Sequence, residues 1–266
     1  MYNSSNPNNP KTIINQLCDA NVEDFCKHYE YRNTPNGPLI HIDNGGDILA
    51  VAHLDTVMES RPKWQGTKVK CPQLDDRLGV WALLHVLPEL TKIPYDILLT
   101  DSEECGQSTS SYFEPEKQYN WIFEFDRAGD DCVLYDYEDN KTEEIMLSFG
   151  WQLGMGAFTD ICSLEHLSIK GFNFGTGYHN QHTKNCFADI TDTIANVKRF
   201  VPFLTEYHST LLPHTPPKYP KGKWYDIKEW EKEWEDMVYC DYCSKELQDE
   251  WAYCPFCGKE SIHAYA

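Results

Sequence analysis

Apolar residues recur along this chain in short runs between polar turns, and their period alternates between that of a strand and that of a helix. Lys11 to Tyr31 carries Ile13, Ile14, Leu17, Val22, Phe25 and Cys26 in an approximate helical stripe. Asn33-Thr-Pro-Asn-Gly-Pro38 is a turn cluster. Leu39 to Asp43 and Asp47 to Ala52 read as strands around Asn44-Gly45-Gly46, a hairpin signal. Arg77 to Leu90 reads as a helix that Pro88 bends or ends. Tyr95 to Thr100 and Asn120 to Phe125 read as strands, Thr159 to Leu167 as a short helix, and Gly171 to Phe174 as a short strand. Ile190 to Leu212 is a helix with Ile190, Ile194, Val197, Val201 and Leu204 on one face. Strands alternating with helices predict an α/β domain with a mainly parallel sheet. Such sheets bind ligands beyond the carboxyl ends of their strands.

The pattern divides the chain into five segments. Residues 1–10 are a polar, flexible lead-in, and 11–213 form the α/β domain. Residues 214–223 are a Pro-rich linker, 224–238 a charged, Trp-bearing helix, and 239–266 a separate mini-domain. No internal repeat is visible.

Polar residues just after the apolar runs carry the candidate chemistry. His53 and Asp55 follow Ile48 to Ala52; Glu103 and Glu104 follow the run ending at Asp101; Asp126 follows Trp121 to Phe125; His182 follows the fourth strand. Asp75-Asp76 opens the helix at Arg77. Each has a plain reading. A lone histidine at a strand end is usually a satisfied one, Asp75-Asp76 could be an N-cap, paired glutamates are often a solvated loop, and Asp126 could pair with Arg127. Taken together they place two histidines and several carboxylates on one sheet edge, the ligand set of a two-metal hydrolytic site. Asp55, at i+2 on an extended segment, lies on the side of His53 and can accept the ring's other N–H. His179 competes with His182 for the metal role.

Composition narrows this further. The 266 residues allow one domain of about 200 residues plus a small appendage. Apolar content of 41% suffices for a core, and no apolar run approaches the roughly 20 residues of a membrane span. The polar N-terminus lacks the basic and apolar regions of a signal peptide, so a cytoplasmic protein is expected. A net charge of −19 disfavours nucleic acid, which needs clustered Lys and Arg. Of the 11 cysteines, the seven at 18, 26, 71, 105, 132, 162 and 186 are scattered and expected to be reduced thiols.

The order of the motifs resembles the clan of co-catalytic zinc exopeptidases, which includes bacterial aminopeptidases, glutamate carboxypeptidases and the tripeptidase peptidase T. The matching segments are Ala52-His-Leu-Asp-Thr-Val57, Leu74-Asp-Asp-Arg-Leu-Gly79, Ser102-Glu-Glu-Cys-Gly106, Phe125-Asp126, Thr159-Asp160 and Gly177-Tyr-His-Asn-Gln-His182, over about residues 40 to 200. The resemblance implies a zinc exopeptidase catalytic domain. It implies that His53 and Glu104 complete one metal, that Asp126 and His182 also belong to the ligand set, and that Asp75 bridges two ions. Glu103 is then the general base and acid, Asp55 orients His53, and His179 and Arg127 contact substrate. The Asp75–Asp76 peptide is often cis in such proteins. Two zinc ions, or cobalt or manganese in their place, would activate a water to attack a peptide or N-acyl amino acid substrate. His53 and Asp75 lie only 22 positions apart, and no other gap holds a domain, so an inserted lid is absent from this reading. The loops Met58 to Pro72 and Gln107 to Glu116 then supply specificity.

The last four cysteines are distinct. Cys240-Asp-Tyr-Cys243 and Cys254-Pro-Phe-Cys257 form CxxC-x10-CxxC, the spacing of two knuckles closing one structural zinc. The segment resembles a zinc ribbon and has too few core residues to fold without the metal. From Trp224 onward four lysines stand against eleven acidic residues, which fits protein docking better than nucleic acid. The expected function is a zinc-dependent amide hydrolase and foremost an aminopeptidase. The alternatives are a carboxypeptidase or N-acyl amino acid deacylase and, in another class, a non-catalytic binding protein that docks through its ribbon. Glu103 argues against the last, since a pure binder has no need of a proton carrier beside the metals.

Overall fold

Four apolar runs form the parallel centre of a seven-stranded sheet. The computed structural model describes residues 9–216 and the backbone of two short strands at 238–239 and 246–247. The sheet is built from β1 (Tyr31–Thr34), β2 (Gly37–Ile42), β3 (Leu49–His53), β6 (Asp96–Thr100), β7 (Ile122–Arg127), β8 (Cys132–Val133) and β9 (Gly171–Gly175). Their spatial order is β1-β2-β6-β3-β7-β9-β8. β6, β3, β7 and β9 run parallel, with the antiparallel β1–β2 pair at one edge and β8 at the other.

This order corrects the hairpin expected around Asn44-Gly45-Gly46. β2 and β3 are not neighbours, because β6 lies between them. The buried carboxylate of Asp96, at the start of β6, accepts the amides of Asn44 (2.9 Å) and Gly46 (3.0 Å) and so fixes the loop open. The hairpin is instead β1–β2, with Thr34 paired to Gly37 inside the predicted turn cluster.

Alternation along the strands loads both faces. Ala50, Ala52, Ile97, Leu99, Phe123, Phe125, Phe172 and Phe174 belong to the larger core, with Ile14, Leu78, Phe200 and Phe203 from the helices. Leu49, Val51, Leu98 and Ile122 face a smaller core with Tyr137, Ile161 and Leu164.

The expected helix at 11–31 is two helices, α1 (Pro10–Asp19) and α2 (Val22–His28). Asn21 and Asp24 form a capping box that starts α2 and ends the continuity. Asn9 caps α1 and Pro10 is its first residue, so both belong to the domain and not to the lead-in. α3 (Leu74–Trp81) becomes regular only at Arg77, since Asp75 and Asp76 are not helical. It continues through a wide turn at Ala82–Val86 into α4 (Leu87–Leu90), whose first turn takes Pro88 without a break. α5 (Asn140–Ser148), capped by Asp139, was not expected. The segment at Asp160–Leu167 is a 3-10 helix, and α6 (Ile190–Tyr207) ends earlier than Leu212.

A second, antiparallel sheet was also not expected. It contains β4 (Lys63–Gln65), β5 (Lys68–Lys70), β10 (Tyr178–His179) and β11 (Phe187–Asp189), ordered β10-β11-β5-β4. It ties the loop after His53 to the segment carrying His182. Among the described residues, the interval between His53 and Asp75 holds only these two short strands.

The chain divides into two units, Met1–Lys221 and Gly222–Ala266. His214, expected to open the linker, is buried in the first unit: its amide donates to Ser168 O (2.9 Å) and its ring lies 4.6 Å from that of Tyr137. In the second unit, Val238–Tyr239 and Glu246–Leu247 pair antiparallel, so Val238 is not the end of a helix. The rest of the linker and of the helix, together with Cys240, Cys243, Cys254 and Cys257, lies outside the described residues. Among the described residues no helix is long and apolar enough to cross a membrane.

Candidate metal centre

The carboxyl ends of β3, β6 and β7 converge where the start of α3 meets the loop after β10. His53 ends β3 and is fully buried. Its Nδ1 lies 3.0 Å from the main-chain oxygen of Asp55. A carbonyl only accepts, so Nδ1 carries a proton and Nε2 turns into the cluster with its lone pair. The Asp55 carboxylate is farther, at 3.4 Å. It is occupied by the Glu103 and Glu104 amides, at 3.1 and 3.0 Å on its two oxygens. Asp55 therefore orients His53 chiefly through its backbone, not through its carboxylate as expected.

Asp75 sits at the centre. Its Oδ1 is 3.3 Å from His53 Nε2, and its Oδ2 is 3.2 Å from His182 Nε2. The Asp75–Asp76 peptide is cis, and the two carboxylates part company there. Asp76 turns inward and accepts the Gly79 amide at 3.0 Å as a helix cap. Gly79 is required at that spot. A Cβ on it would collide with both Asp76 oxygens and come within 2.5 Å of the Phe125 main-chain oxygen.

The remaining groups sort themselves around the two oxygens of Asp75. Asp126 Oδ1 is 3.7 Å from His53 Nε2, and Glu104 Oε2 is 3.0 Å from His182 Nε2. Glu103 Oε2 stands 3.9 Å from His53 Nε2. His53, Asp75 and Glu104 each offer a ligand atom, all within 4.8 Å of one another. The shorter contacts pair His53 with Asp126 and His182 with Glu104. They differ from the pairing of His53 with Glu104 that the resemblance implies.

Two further expected side chains make contacts of their own. His179 is exposed in β10 with its ring 5.2 Å from that of Phe187. Arg127 is held by both oxygens of Asp131, at 3.0 and 3.2 Å. Supporting residues without an assigned role surround Asp126: Tyr178 OH donates to its Oδ1 and Thr159 Oγ1 to its Oδ2, both at 3.1 Å. Asp160 accepts from Thr100 Oγ1 (2.7 Å) and from Ser108 Oγ. Thr159-Asp160 and Tyr178 both lie in segments that match the resemblance, but no role is assigned to them there.

Charge is concentrated here. Burial, with the charges of Asp126 and Asp160 adding to it, pushes Glu103 up to about 9. Burial and the charge of Asp75 push Glu104 up to about 7, and burial also raises Asp126. Burial opposes ionisation of Asp75 too, but hydrogen bonds from His182 and His53 outweigh it and hold that carboxyl below its ordinary range. A buried cluster whose carboxylates resist their own charge fits divalent cations, which would offset both the burial and the mutual repulsion. Carboxylate and imidazole donors suit zinc, manganese or cobalt.

No protein-family model and no curated protein matches the sequence. Solved structures do match the fold. It is similar to the aminopeptidase PepT from Bacillus cereus, with 10% identity and a TM-score of 0.56 over 73% of this chain and 96% of that one. A tripeptidase from Staphylococcus aureus matches with 10% identity and a TM-score of 0.54, over 74% of this chain and 98% of that one. An aminopeptidase from the archaeon Desulfurococcus kamchatkensis matches with 12% identity and a TM-score of 0.53, over 80% and 98%. The mixed α/β domain with a mainly parallel sheet thus has the fold of these peptidase domains.

Proposed function

We propose that this chain is a two-metal amide hydrolase of exopeptidase type, and an aminopeptidase in preference to a carboxypeptidase or N-acyl amino acid deacylase. The observation that carries the reading is the division of two imidazoles and two further carboxylates between the oxygens of Asp75, with Glu103 beside them. His53 and Asp126 would hold one ion and Glu104 and His182 the other, with Asp75 shared. Bound there, two divalent ions supply Lewis acidity, lowering the pKa of water and polarising an amide carbonyl.

The protein's own groups do the rest. His53 is locked in one tautomer by Asp55, and Glu103 is anchored through its amide by the same residue. Glu103 takes the proton from the attacking water and returns it to the leaving nitrogen. The acidic surroundings suit a substrate's amino terminus. Arg127, the side chain expected to receive a substrate group, is already engaged by Asp131, which disfavours a carboxylate terminus there. At the other end of the chain, Cys240, Cys243, Cys254 and Cys257 would hold a structural zinc in a ribbon whose acidic surface suits a protein partner.

The test combines elemental analysis with a substrate screen. Purified protein is expected to approach three metals per chain, falling by one in a Cys240→Ser, Cys243→Ser variant. With zinc, cobalt or manganese added, aminoacyl amides should be cleaved and N-acyl or C-terminal amino acid substrates should not. Cleavage of only the latter groups would move the reading to a carboxypeptidase or deacylase. A fully metallated protein inert to all three would leave the non-catalytic binding protein.

A further inference from the structure

The turn that presents Glu103 and Glu104 leaves β6 at Thr100 and returns at Ser108, and a single buried carboxylate joins these two residues. Asp160, at the start of the 3-10 helix, is 1% exposed. Its Oδ2 accepts from Thr100 Oγ1 at 2.7 Å and its Oδ1 from Ser108 Oγ. Its main-chain oxygen accepts from Ser110 Oγ at 2.9 Å. The Ser110 amide in turn donates to Ser108 Oγ at 3.0 Å. The backbone closes beside them. Thr109 gives its amide to Asp101 O and receives the Asp101 amide on Oγ1, both at 2.9 Å.

Asp55 holds the tip of the same turn by the Glu103 and Glu104 amides, so one carboxylate grips the tip and another the neck. Thr159, the neighbour of Asp160, donates to Asp126 Oδ2 at 3.1 Å. One dipeptide therefore reaches both Asp126, beside His53, and the base of the turn whose Glu104 lies 3.0 Å from His182. A carboxylate buried this deeply is costly unless its oxygens are hydrogen-bonded. Here each oxygen is spent on one end of the turn, whereas packing alone would be served by an apolar residue.

We propose that Asp160 is the positioning residue of the Glu103–Glu104 turn. Its carboxylate fixes the neck, and through the neck the place of Glu104 opposite His182 and of Glu103 near His53. The residue acts through Thr100 and Ser108. An amide in its place offers one acceptor oxygen where the carboxylate offers two, so one of the two hydroxyls loses its bond. The consequence for metal rests on the two-metal reading. The grip on the neck does not, because it is read in backbone exchange.

Full-length parent protein is compared with Asp160→Asn, Ser108→Ala and the double variant. Hydrogen exchange, followed by mass spectrometry on the proteins as purified, should be about tenfold faster at 101–109 in Asp160→Asn and unchanged at 122–127. Unchanged exchange at 101–109 overturns the inference. Zinc retention is then measured by elemental analysis across a series of chelator concentrations. One catalytic ion should be held about 10–100-fold more weakly in Asp160→Asn and the other little changed; a general loss of structure would weaken both alike. Ser108→Ala cuts one arm and should weaken the same ion by less. The double variant should be no worse than Asp160→Asn, because both changes break the same bond. Both ions weakened alike, neither weakened, or losses that multiply in the double variant overturn the inference. Ser108→Ala keeps the test decisive should Asp160→Asn not fold. A parent protein that holds no catalytic ion rejects the two-metal reading instead, and the exchange result still decides whether Asp160 holds the turn.

Discussion

Asp55 accepts the backbone amide of Glu104 at 3.0 Å, so the residue that orients the His53 imidazole also sets the turn from which Glu103 and Glu104 project. Adjacent glutamates thereby receive different surroundings. Glu104 reaches His182, and Glu103 stays 3.9 Å from His53. Glu103→Gln is expected to keep both catalytic metals and to lose about 10²–10⁴-fold in kcat, with KM little changed. Glu104→Gln should lose metal and activity together. Metal stoichiometry measured beside kcat separates the two. An active Glu103→Gln protein would remove Glu103 from the mechanism, and a metal-free one would make it a ligand.

The two histidines of the Gly177–His182 segment should respond differently. His182 touches Asp75 and Glu104 while His179 packs beside Phe187. His182→Ala should release catalytic metal. His179→Ala should retain it and alter substrate affinity. Metal content after dialysis is the readout, and the reverse pattern would reassign the final ligand.

Gly79 leaves no room for a side chain between Asp76 and the Phe125 carbonyl. Gly79→Ala should therefore push Asp126, the next residue, out of place as well as strain α3. A loss of about 1–3 kcal/mol in urea unfolding is expected, with weaker metal retention. An unchanged midpoint would mean that the strand end yields without cost.

Asp96 offers a pH test away from the metal groups. Burial opposes its ionisation, but Lys117, Tyr119 and the Gly46 and Asn44 amides outweigh burial and hold the carboxyl below its ordinary range. The sign follows from a depressed folded value. The stabilisation is complete above the unfolded pKa of about 3.9 and disappears as pH falls through the lower folded value. Asp96→Asn should cost about 1.5–3 kcal/mol at neutral pH, and its gap from the parent should narrow below about pH 4. Urea unfolding at several pH values checks this; a gap independent of pH would mean the charge contributes nothing.

The parallel strands were legible because both faces are buried and each therefore appears as an unbroken apolar run. The residues just beyond those runs could be read as one cluster for the same reason, since parallel strands end together. What failed depended on distant partners. The Asn44-Gly45-Gly46 loop resembles a hairpin turn, yet the Asn44 and Gly46 amides are satisfied by Asp96, some fifty positions later. β4 (Lys-Trp-Gln) and β5 (Lys-Val-Lys) are three residues each with one apolar residue apiece, too short for a period to show. Tyr178 stands within the Gly177–His182 segment without a role of its own; its hydroxyl matters because Asp126, on a strand of the other sheet, lies within its reach.

The late insertion of β6 bears on how the chain is made. A ribosome presents β2 and β3 first, and each must wait with an unsatisfied edge until residues 96–100 arrive to lie between them. Pairing them prematurely would produce a plausible local hairpin that has to be undone, a sequence-distant closure of the kind that slows folding. Nascent chains halted before Thr100 would expose the free edge of β2 and leave β3 with no native mate, making that interval the point of greatest exposure to aggregation and to chaperones.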